Sequence, residues 1–365
     1  MSDPLVLAVV LGTRPEAVKL APVIIEAAAR PGLRVDVIST GQHDDMLRSM
    51  IEWFGIELTL DLKVMTPDQT ISGVAAAALD GLSKRFRDHR PDWVLVQGDT
   101  TTAFVGALAG FYDRIRVAHV EAGLRTDDRF NPYPEEMNRR LVGRLADLHL
   151  APTARAADNL RSEGVTDAAI DITGNTGIDA LFLTLDRLGV QPQHSGGRRI
   201  LVTAHRRENH GEAMRGICEA ILRLLERYPD LVVEFPMHRS PRVRAEVVPL
   251  LGQHPRVQLG EPMPHHEFVQ AMARATLILS DSGGVQEEAP SLGKPVLVMR
   301  DSTERPEAIE AGVAELVGCR PDDIVASVTR LFDDPVAYEQ MAKAVNPFGD
   351  GTAARQTIDS ILRRS

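Results

Sequence analysis

Apolar and polar positions alternate in blocks along the first half of the chain. Short apolar runs predict buried strands at Leu5–Leu11, Leu33–Ser39, Trp93–Gln97, Val117–Val120 and Leu148–Pro152, the last strand of this half. Between them, one helix is predicted after the first strand, with Pro15 in its first turn and an inward stripe of Ala17, Leu20, Ile24 and Ala28. A small-residue helix is predicted over Thr102–Tyr112. Strands alternating with helices predict a parallel sheet with right-handed crossovers.

The same pattern restarts in the second half, after a polar loop over Gln191–Arg198. Strands are predicted at Ile200–Ala204, Leu231–Phe235, Val257–Leu259, Thr276–Ser280 and Val296–Met299. The length of 365 residues suits two α/β domains better than one core. We expect the boundary near Thr173–Ile178, and the last helix, Ala353–Arg364, can pack on either domain.

Composition and charge narrow the class of protein. The hydrophobic share of 44% and the charged share of 25% are ordinary for a soluble domain. A net charge of −10 and an aromatic share of 4% argue against binding of nucleic acid or of anionic lipid. An anionic substrate would therefore need a local cluster of arginines. The chain shows neither a signal peptide nor an apolar run of ~20 residues, so a cytoplasmic location is expected.

Polar residues that could bind a ligand or take part in catalysis follow the predicted strands, where open parallel sheets bind their ligands. Ser282, Gly283 and Gly284 follow one strand and begin a helix, so their N–H groups suit a phosphate. Glu288 comes one turn later and could accept hydrogen bonds from ribose hydroxyls. The alternative interpretation is a tight, capped turn without a ligand.

Basic side chains follow two other strands. Arg14 and Lys19 come after the first strand, and Arg305 follows a strand of the second half. The G-x-G-x-x-G spacing of a dinucleotide site is absent from the loop of Arg14. These cations could approach a diphosphate, although arginine at a strand end is often only part of a surface ion pair.

Candidate acid–base groups form a third set. Asp99, Glu121, Glu135 and His205 lie at strand ends or in adjoining loops, close in sequence to arginines. This pattern suits proton transfer on an anionic substrate. Taken singly, Asp99 could be a helix cap, Glu135 a helix-start charge and His205 a loop residue. The histidines lack the spacing of a zinc site, and the two cysteines show neither metal nor redox spacing. The sequence also shows no motif typical of a Ser–His–Asp triad.

Several motifs together resemble a known family, the bacterial non-hydrolysing UDP-N-acetylglucosamine 2-epimerases. The resemblance runs in order over nearly the whole chain and rests on Gly12-Thr-Arg-Pro-Glu-Ala17, Gly98-Asp-Thr-Thr-Thr102, His119-Val-Glu-Ala-Gly-Leu-Arg125, Pro134-Glu-Glu136, Ile172-Thr-Gly-Asn-Thr176, His205-Arg-Arg-Glu208, Asp281-Ser-Gly-Gly284 with the segment to Pro295, Arg305-Pro-Glu-Ala308 and Pro347-Phe-Gly-Asp-Gly351.

The resemblance implies a glycosyltransferase-B-type α/β fold, in which two Rossmann-like domains with parallel sheets face a central cleft. The first domain would comprise residues 1–172 with the terminal helix 353–365, and the second, UDP-binding domain residues 173–352. The resemblance also implies a homodimer. The implied reaction interconverts UDP-N-acetylglucosamine and UDP-N-acetylmannosamine, by elimination of UDP to 2-acetamidoglucal and its re-addition, without cofactor or metal. A glycosyltransferase of the same fold, a hydrolysing 2-epimerase and a UDP-sugar sensor are the alternatives.

Site residues follow from the resemblance position by position. Asp99, Glu121, Glu135 and His205 match the family's proposed catalytic groups, with the C2 base left open among the carboxylates. The substrate would be bound by Arg14, Ser282, Gly283, Gly284 and Arg305 at the diphosphate, Glu288 at the ribose, Phe268 near the uracil, and Lys19 and Arg139. Positions at or near an activator site of some members are Gln42, His43, Gln69, Arg206 and His238. Next to the last of these, Arg239 and Ser240 depart from the commoner family pattern.

Overall fold

The computed structural model describes residues 4–41, 44–66, 69–126, 128–192, 197–206 and 209–365, and of residues 44–46 the backbone only. The chain divides into two compact units, which we call the first and second domains. The first comprises Met1–Ala180 with Phe348–Ser365, and the second comprises Leu181–Pro347. None of the helices in the described ranges is both long and apolar enough to cross a membrane.

The first domain is built on a seven-stranded sheet in the order β3-β2-β1-β4-β5-β6-β7. Neighbouring strands pair in parallel. Its strands are β1 (Leu5–Leu11), β2 (Leu33–Ser39), β3 (Leu60–Asp61), β4 (Trp93–Gln97), β5 (Arg116–Val120), β6 (Leu148–Ala151) and β7 (Ile170–Ile172). The helices are α1 (Arg14–Ala28), α2 (Asp44–Phe54), α3 (Ile71–Asp88), α4 (Thr101–Tyr112), α5 (Glu135–Leu145), α6 (Ala154–Ser162) and α7 (Thr176–Leu188), within which the division between the domains falls.

The second domain has a six-stranded parallel sheet in the order β10-β9-β8-β11-β12-β13. Its strands are β8 (Arg199–Thr203), β9 (Val232–Pro236), β10 (Val257–Gly260), β11 (Leu277–Ser280), β12 (Val296–Val298) and β13 (Ala314–Leu316). Its helices are α8 (Glu212–Arg227), α9 (Pro241–Leu251), α10 (His265–Arg274), α11 (Gly283–Glu288), α12 (Pro306–Glu310), α13 (Pro321–Asp333) and α14 (Pro335–Ala342). The α/β fold predicted for each half is therefore confirmed.

The strands predicted at Leu5–Leu11, Leu33–Ser39 and Trp93–Gln97 are confirmed to the residue. The prediction that β6 is the last strand of the first half was wrong, because β7 follows it. That edge strand has only three residues and includes a polar Asp171, so it carries too little apolar signal. Ala28 was also misplaced: it is the exposed last residue of α1, and Ala27 is buried in its stead. Both positions lie at similar angles from the stripe of Ala17, Leu20 and Ile24, so the helical period did not separate them.

Small residues let α4 approach the first sheet closely. A Cβ added at Gly106 would lie 2.9 Å from a Val96 methyl carbon, and one added at Gly110 would lie 2.9 Å from a Val117 methyl carbon. Both contacts are shorter than carbon atoms tolerate, so glycine is required where α4 crosses β4 and β5. This close packing fixes the start of α4, and with it the loop of Asp99.

The terminal helix α15 (Ala353–Leu362) belongs to the first domain. Its first turn is held by Asp179, whose carboxylate accepts hydrogen bonds from the N–H groups of Ala353 (3.2 Å) and Ala354 (2.8 Å). A guanidinium nitrogen of Arg30 on α1 lies 2.8 Å from Oδ1 of Asp359. The helix thus packs beside α1, and its N–H groups at the first turn are satisfied by a carboxylate rather than by water.

We expect Gly123→Ala to lower the free energy of unfolding by about 2–5 kcal/mol, since left-handed backbone costs an alanine about 1–2 kcal/mol and overpacking about 1–3 more. Gly123 has a φ of +91°, and an added Cβ would lie 2.1 Å from the carbonyl oxygen of Ala156. Gly164 is the matched control, because its φ is +88° but no atom lies within 4 Å of its added Cβ. Urea denaturation of both variants checks this, and equal losses would contradict it.

Candidate active site

In each sheet, the strand that comes first in sequence has later strands on both of its sides, so the strand order reverses there. In the first domain this strand is β1, with β2 on one side and β4 on the other, and in the second it is β8, between β9 and β11. Ligands of open α/β sheets bind outside the carboxyl ends of strands at such a switch point. The loops after β1, β4 and β5 in the first domain, and after β8 and β11 in the second, carry most of the candidate residues.

Glu121 follows β5 in the left-handed region, with a φ of +64°, which is unusual for a residue other than glycine. Its Oε1 lies 2.6 Å from Nζ of Lys19, which is on α1. Its other oxygen accepts a short hydrogen bond from the amide of Gln97, the last residue of β4. The structure thus brings the predicted acid–base residue and the predicted substrate-binding lysine into one ion pair, and adds Gln97, which the sequence did not single out.

Asp99 lies in the loop between β4 and α4 and is paired with Arg139 of α5. Its backbone carbonyl oxygen accepts a hydrogen bond of 2.9 Å from the side-chain amide of Asn138. The guanidinium of Arg139 also lies 3.5 Å from the fully buried Glu136. Each carboxylate, Asp99 and Glu121, is therefore matched with one of the cations that the sequence assigned to the substrate.

Glu135 is the first residue of α5, one residue before the buried Glu136. Its Oε2 is buried and has no hydrogen-bond partner among the residues that the structure describes. A buried carboxylate oxygen is normally hydrogen-bonded, because leaving it unpaired costs about 1–3 kcal/mol. This unpaired acceptor belongs to one of the residues for which the resemblance implies a catalytic role.

Glu16, which the sequence did not indicate, is fully buried at the third position of α1. Burial raises the pKa of its carboxyl to about 7, against the opposing influence of hydrogen bonds from Thr100, Thr13 and Gly12. This side chain lies between the Gly12–Thr13 loop, which directly precedes Arg14, and the loop that contains Asp99. A glutamate three residues after a threonine at a helix start was the signal that the sequence offered.

His119 on β5 is buried, and its Nε2 lies 2.7 Å from the carbonyl oxygen of Gly98. Since a carbonyl only accepts, Nε2 carries the proton and donates it. Burial lowers the pKa of His119 to about 3, so the ring is neutral near pH 7. This histidine therefore supports the loop before Asp99 and is not a candidate proton donor at neutral pH.

We expect acidification to destabilise the protein through His119. Because its pKa is lowered from 6.5 to about 3 on folding, its contribution is fully present above pH 6.5 and is lost as the pH falls toward 3. Between pH 6.5 and 5 the expected loss is about 2 kcal/mol. Urea unfolding at both pH values should show a smaller loss in His119→Asn, whereas the exposed control His89→Asn should behave like the wild type. An unchanged loss in His119→Asn would contradict this account.

In the second domain, His205 follows β8 and Asp281 follows the neighbouring strand β11. Nδ1 of His205 lies 2.8 Å from Oδ1 of the fully buried Asp281. Oδ2 of Asp281 accepts from the backbone N–H groups of His205 and Arg206, both at 2.8 Å, and from the amide of Asn209 at 3.0 Å. Burial alone would raise the pKa of Asp281, but the contacts with His205 and these N–H groups outweigh it and the pKa is lowered.

The pairing with Asp281 orients His205. With Nδ1 held by the carboxylate, Nε2 is the ring nitrogen left to act on a substrate. The histidine side chain is 43% exposed, so it is accessible to a ligand. Asp281 was within a motif noted in the sequence, but its role becomes visible only when β8 and β11 are known to be neighbours.

The start of α11 is the predicted phosphate site. Ser282 is the residue before this helix, and its N–H donates to Oγ of Ser280 at 3.0 Å. The guanidinium of Arg305 lies over Gly283, 3.5 Å from the position that a Cβ would occupy. Its Nε donates to the nearly buried Glu287, which the sequence did not single out as its partner. Glu288 folds back so that Oε1 lies 3.6 Å from the Cβ position of Gly284.

The remaining predicted residues lie at the positions predicted to contact the uracil or an activator. Phe268 lies half-buried on α10. Of the positions for an activator, Gln42 and His43 lie outside the described residues, and Gln69 accepts from the N–H of Thr66 at 3.0 Å. Arg206 lies 3.1 Å from Glu304, and the ring of His238 has its centre 6.1 Å from that of His205.

Two parallel α/β domains, each with acid–base or basic side chains at its switch point, are the attributes of a doubly wound α/β enzyme. A family model described as UDP-N-acetylglucosamine 2-epimerase matches residues 25–362. A Bacillus subtilis protein named UDP-N-acetylglucosamine 2-epimerase is 46% identical over 357 residues, which are 97% of this chain and 94% of that protein. The chain belongs to the UDP-N-acetylglucosamine 2-epimerase family.

Solved structures agree with this assignment. A crystal structure of UDP-GlcNAc 2-epimerase from Neisseria meningitidis bound to UDP-GlcNAc is 43% identical, with a TM-score of 0.90 and coverage of 98% of this chain and 100% of that one. A UDP-GlcNAc 2-epimerase of Methanocaldococcus jannaschii in complex with UDP-GlcNAc and UDP is 32% identical, with a TM-score of 0.79 and coverage of 99% and 100%.

Proposed function

We propose that the protein interconverts UDP-N-acetylglucosamine and UDP-N-acetylmannosamine by epimerisation at C2. The observation that carries the proposal is the set of paired acid–base residues at the switch point of each sheet, in a member of this family. Glu121 with Lys19, Asp99 with Arg139, and His205 with Asp281 can move protons, and none of these pairs would be needed merely to bind a nucleotide.

The chemistry has two halves. In elimination, a carboxylate takes the C2 proton, the C1–O bond breaks, and UDP leaves with its electron pair, which gives 2-acetamidoglucal. In addition, a proton reaches C2 on the opposite face and an oxygen of UDP bonds to C1. The C2 proton is not acidic, so the site must stabilise the departing diphosphate, for which Arg14, Arg305 and the N–H groups at the start of α11 are suited.

The ion pairs bear on which group acts as base. In the described structure Lys19 is paired with Glu121, and Arg139 is paired with Asp99. A substrate diphosphate that drew either cation away would leave its carboxylate unpaired and able to accept a proton from the sugar. Glu135, with its buried unpaired oxygen, is the third candidate. His205 is suited to protonate the second face, because Asp281 orients its ring and leaves Nε2 available.

Product analysis by NMR tests the proposal. Incubation of the wild type with UDP-N-acetylglucosamine should yield UDP-N-acetylmannosamine with the diphosphate linkage intact, and the same mixture should form from the opposite epimer. Free N-acetylmannosamine with UDP would identify a hydrolysing epimerase instead. Turnover that depends on an added sugar acceptor would identify a glycosyltransferase, and binding without turnover would identify a UDP-sugar sensor.

A cytoplasmic homodimer is part of the same proposal and rests mainly on the resemblance. Phe111 and Tyr112 at the end of α4 are 56% and 62% exposed, and Leu141 on α5 is 40% exposed, which is an apolar surface of the kind that oligomers cover. Light scattering on the purified chain should give the mass of two copies. A monomer mass at micromolar concentration would remove the homodimer from the proposal.

Activation by UDP-N-acetylglucosamine is a separate hypothesis. It rests on the resemblance at Arg206 and His238, although Arg239 and Ser240 beside His238 depart from the commoner family pattern. It expects a sigmoidal rate curve for UDP-N-acetylmannosamine that traces of UDP-N-acetylglucosamine make hyperbolic. A curve that is hyperbolic from the start would remove it.

A further inference from the structure

We infer that Glu16 is a positioning residue that joins the loop of Arg14 to the loop of Asp99 and so sets the geometry of the site in the first domain. The inference rests on the function proposed for those two residues. Glu16 touches neither the reacting atoms nor, in the assignment above, the substrate, and it acts through Thr13 and Thr100.

Each oxygen of the Glu16 carboxylate serves one loop. Oε2 accepts from the backbone N–H of Gly12 (3.0 Å), and from the N–H and the hydroxyl of Thr13 (both 2.8 Å). Oε1 accepts a hydrogen bond of 2.6 Å from the hydroxyl of Thr100, the residue after Asp99. A single buried side chain therefore connects the carboxyl end of β1 with that of its neighbour β4.

The contacts on Oε2 alone would make Glu16 an ordinary helix-capping glutamate. The contact on Oε1 is not part of a helix cap, because it links Glu16 to a residue outside α1. The Thr100 hydroxyl donates to Glu16 and at the same time accepts from the N–H of Ala103 at 3.0 Å, which caps α4. The same carboxylate thus holds the start of α1 directly and the start of α4 through Thr100, the cap residue that follows Asp99.

The two loops also lie in close contact, which makes their relative position sensitive to small changes. A Cβ added at Gly12 would lie 2.2 Å from Oγ1 of Thr40 and 2.3 Å from Oγ1 of Thr102. Those two hydroxyls are themselves 2.9 Å apart. Since there is no free space between the loops, one loop cannot shift without displacing the other.

Glu16→Gln separates the two roles. With its carbonyl oxygen in the place of Oε2, glutamine keeps the contacts with Gly12 and Thr13 and so keeps the cap of α1. Its NH2 group then faces the Thr100 hydroxyl, which loses the acceptor for its proton. The variant should therefore loosen the Asp99 loop with little effect on the Arg14 loop.

The test compares steady-state kinetics, UDP binding and thermal midpoint for Glu16→Gln and Thr100→Val. The matched controls are Thr100→Ser, which keeps the hydroxyl, and Glu26→Gln on the more exposed part of the same helix. We expect kcat to fall about 10- to 100-fold in both test variants, as misplacement of a reacting group by about 1 Å does elsewhere. KM and the Kd of UDP should stay within about threefold of the wild type.

The double variant Glu16→Gln/Thr100→Val should be no slower than the slower single variant, because both changes remove the same contact. Additive losses, or a wild-type kcat in Thr100→Val, would overturn the inference. So would a loss of kcat in Thr100→Ser as large as that in Thr100→Val, because the hydroxyl would then not be the group that matters.

Amide exchange measured by mass spectrometry gives a readout without turnover. Peptides that cover residues 98–104 should exchange faster in Glu16→Gln than in the wild type, while those that cover residues 12–13 should not. Equal exchange in both segments would overturn the inference. If the wild type itself fails to epimerise the substrate, the proposed function falls, and the exchange comparison still decides whether Glu16 holds the loop.

Discussion

Replacement of Glu121 by glutamine should lower kcat by about 10²–10⁴-fold, the range typical of a lost acid–base group, and leave the Kd of UDP close to that of the wild type. Glutamine has the shape of glutamate and can keep the contact with Gln97 after rotation of one amide. It cannot take a proton from carbon, and it leaves Lys19 without the carboxylate that lies 2.6 Å away. Rapid-quench or NMR kinetics together with calorimetric titration of UDP measure the two quantities.

Glu57→Gln is a suitable control, because Glu57 is an exposed glutamate of the same domain that lies in none of the strand-end loops. It should leave both quantities unchanged. A Glu121→Gln variant that had lost UDP affinity in proportion to kcat would contradict the catalytic role and would assign Glu121 to binding or to local structure.

The second large effect is expected for Asp281→Asn in the other domain. An asparagine amide cannot accept from every group that the carboxylate accepts from, since one of its ends only donates. The His205 ring would lose the carboxylate contact that orients it. We expect kcat to fall by about 10²–10⁴-fold and the free energy of unfolding to fall by about 1–3 kcal/mol, because the buried amide NH2 that replaces Oδ1 has no acceptor in place of the His205 contact.

His205→Ala separates these two effects. It should lower kcat to a similar extent with a smaller loss of stability, and the double variant should be no slower than either single one. Asp230→Asn is the control for charge removal, because Asp230 is exposed and its ion pair with Arg198 lies at the surface. Additive losses of kcat in the double variant would show that His205 and Asp281 act independently, contrary to our account.

The fold and a set of candidate site residues could be predicted from the sequence because both predictions use local patterns. Apolar runs predicted β1, β2 and β4 to the residue, and the residues after strand ends predicted Asp99, Glu121 and His205 as site residues. Short edge strands were missed, because β3 with two residues and β13 with three contain too little apolar pattern to be told from loops.

Partners of the site residues were not accessible, because they depend on which strands are neighbours. Gln97 reaches Glu121 since β4 pairs with β5, and Asp281 reaches His205 since β11 pairs with β8. Glu16 reads in the sequence as a helix cap, and its link to Thr100 follows only from the pairing of β1 with β4. In each case the partner residue is present in the sequence, but the sequence does not reveal which strands are neighbours.

The central claim is that a proton is removed from C2 and replaced, with the UDP-sugar as substrate and product. It is tested most directly by running the reaction in deuterated water and reading C2 by NMR and mass spectrometry. Our account expects one deuterium at C2 of the product UDP-sugar, and its later appearance in the starting epimer as the reaction reverses. Epimerisation with the original hydrogen retained at C2 would contradict it.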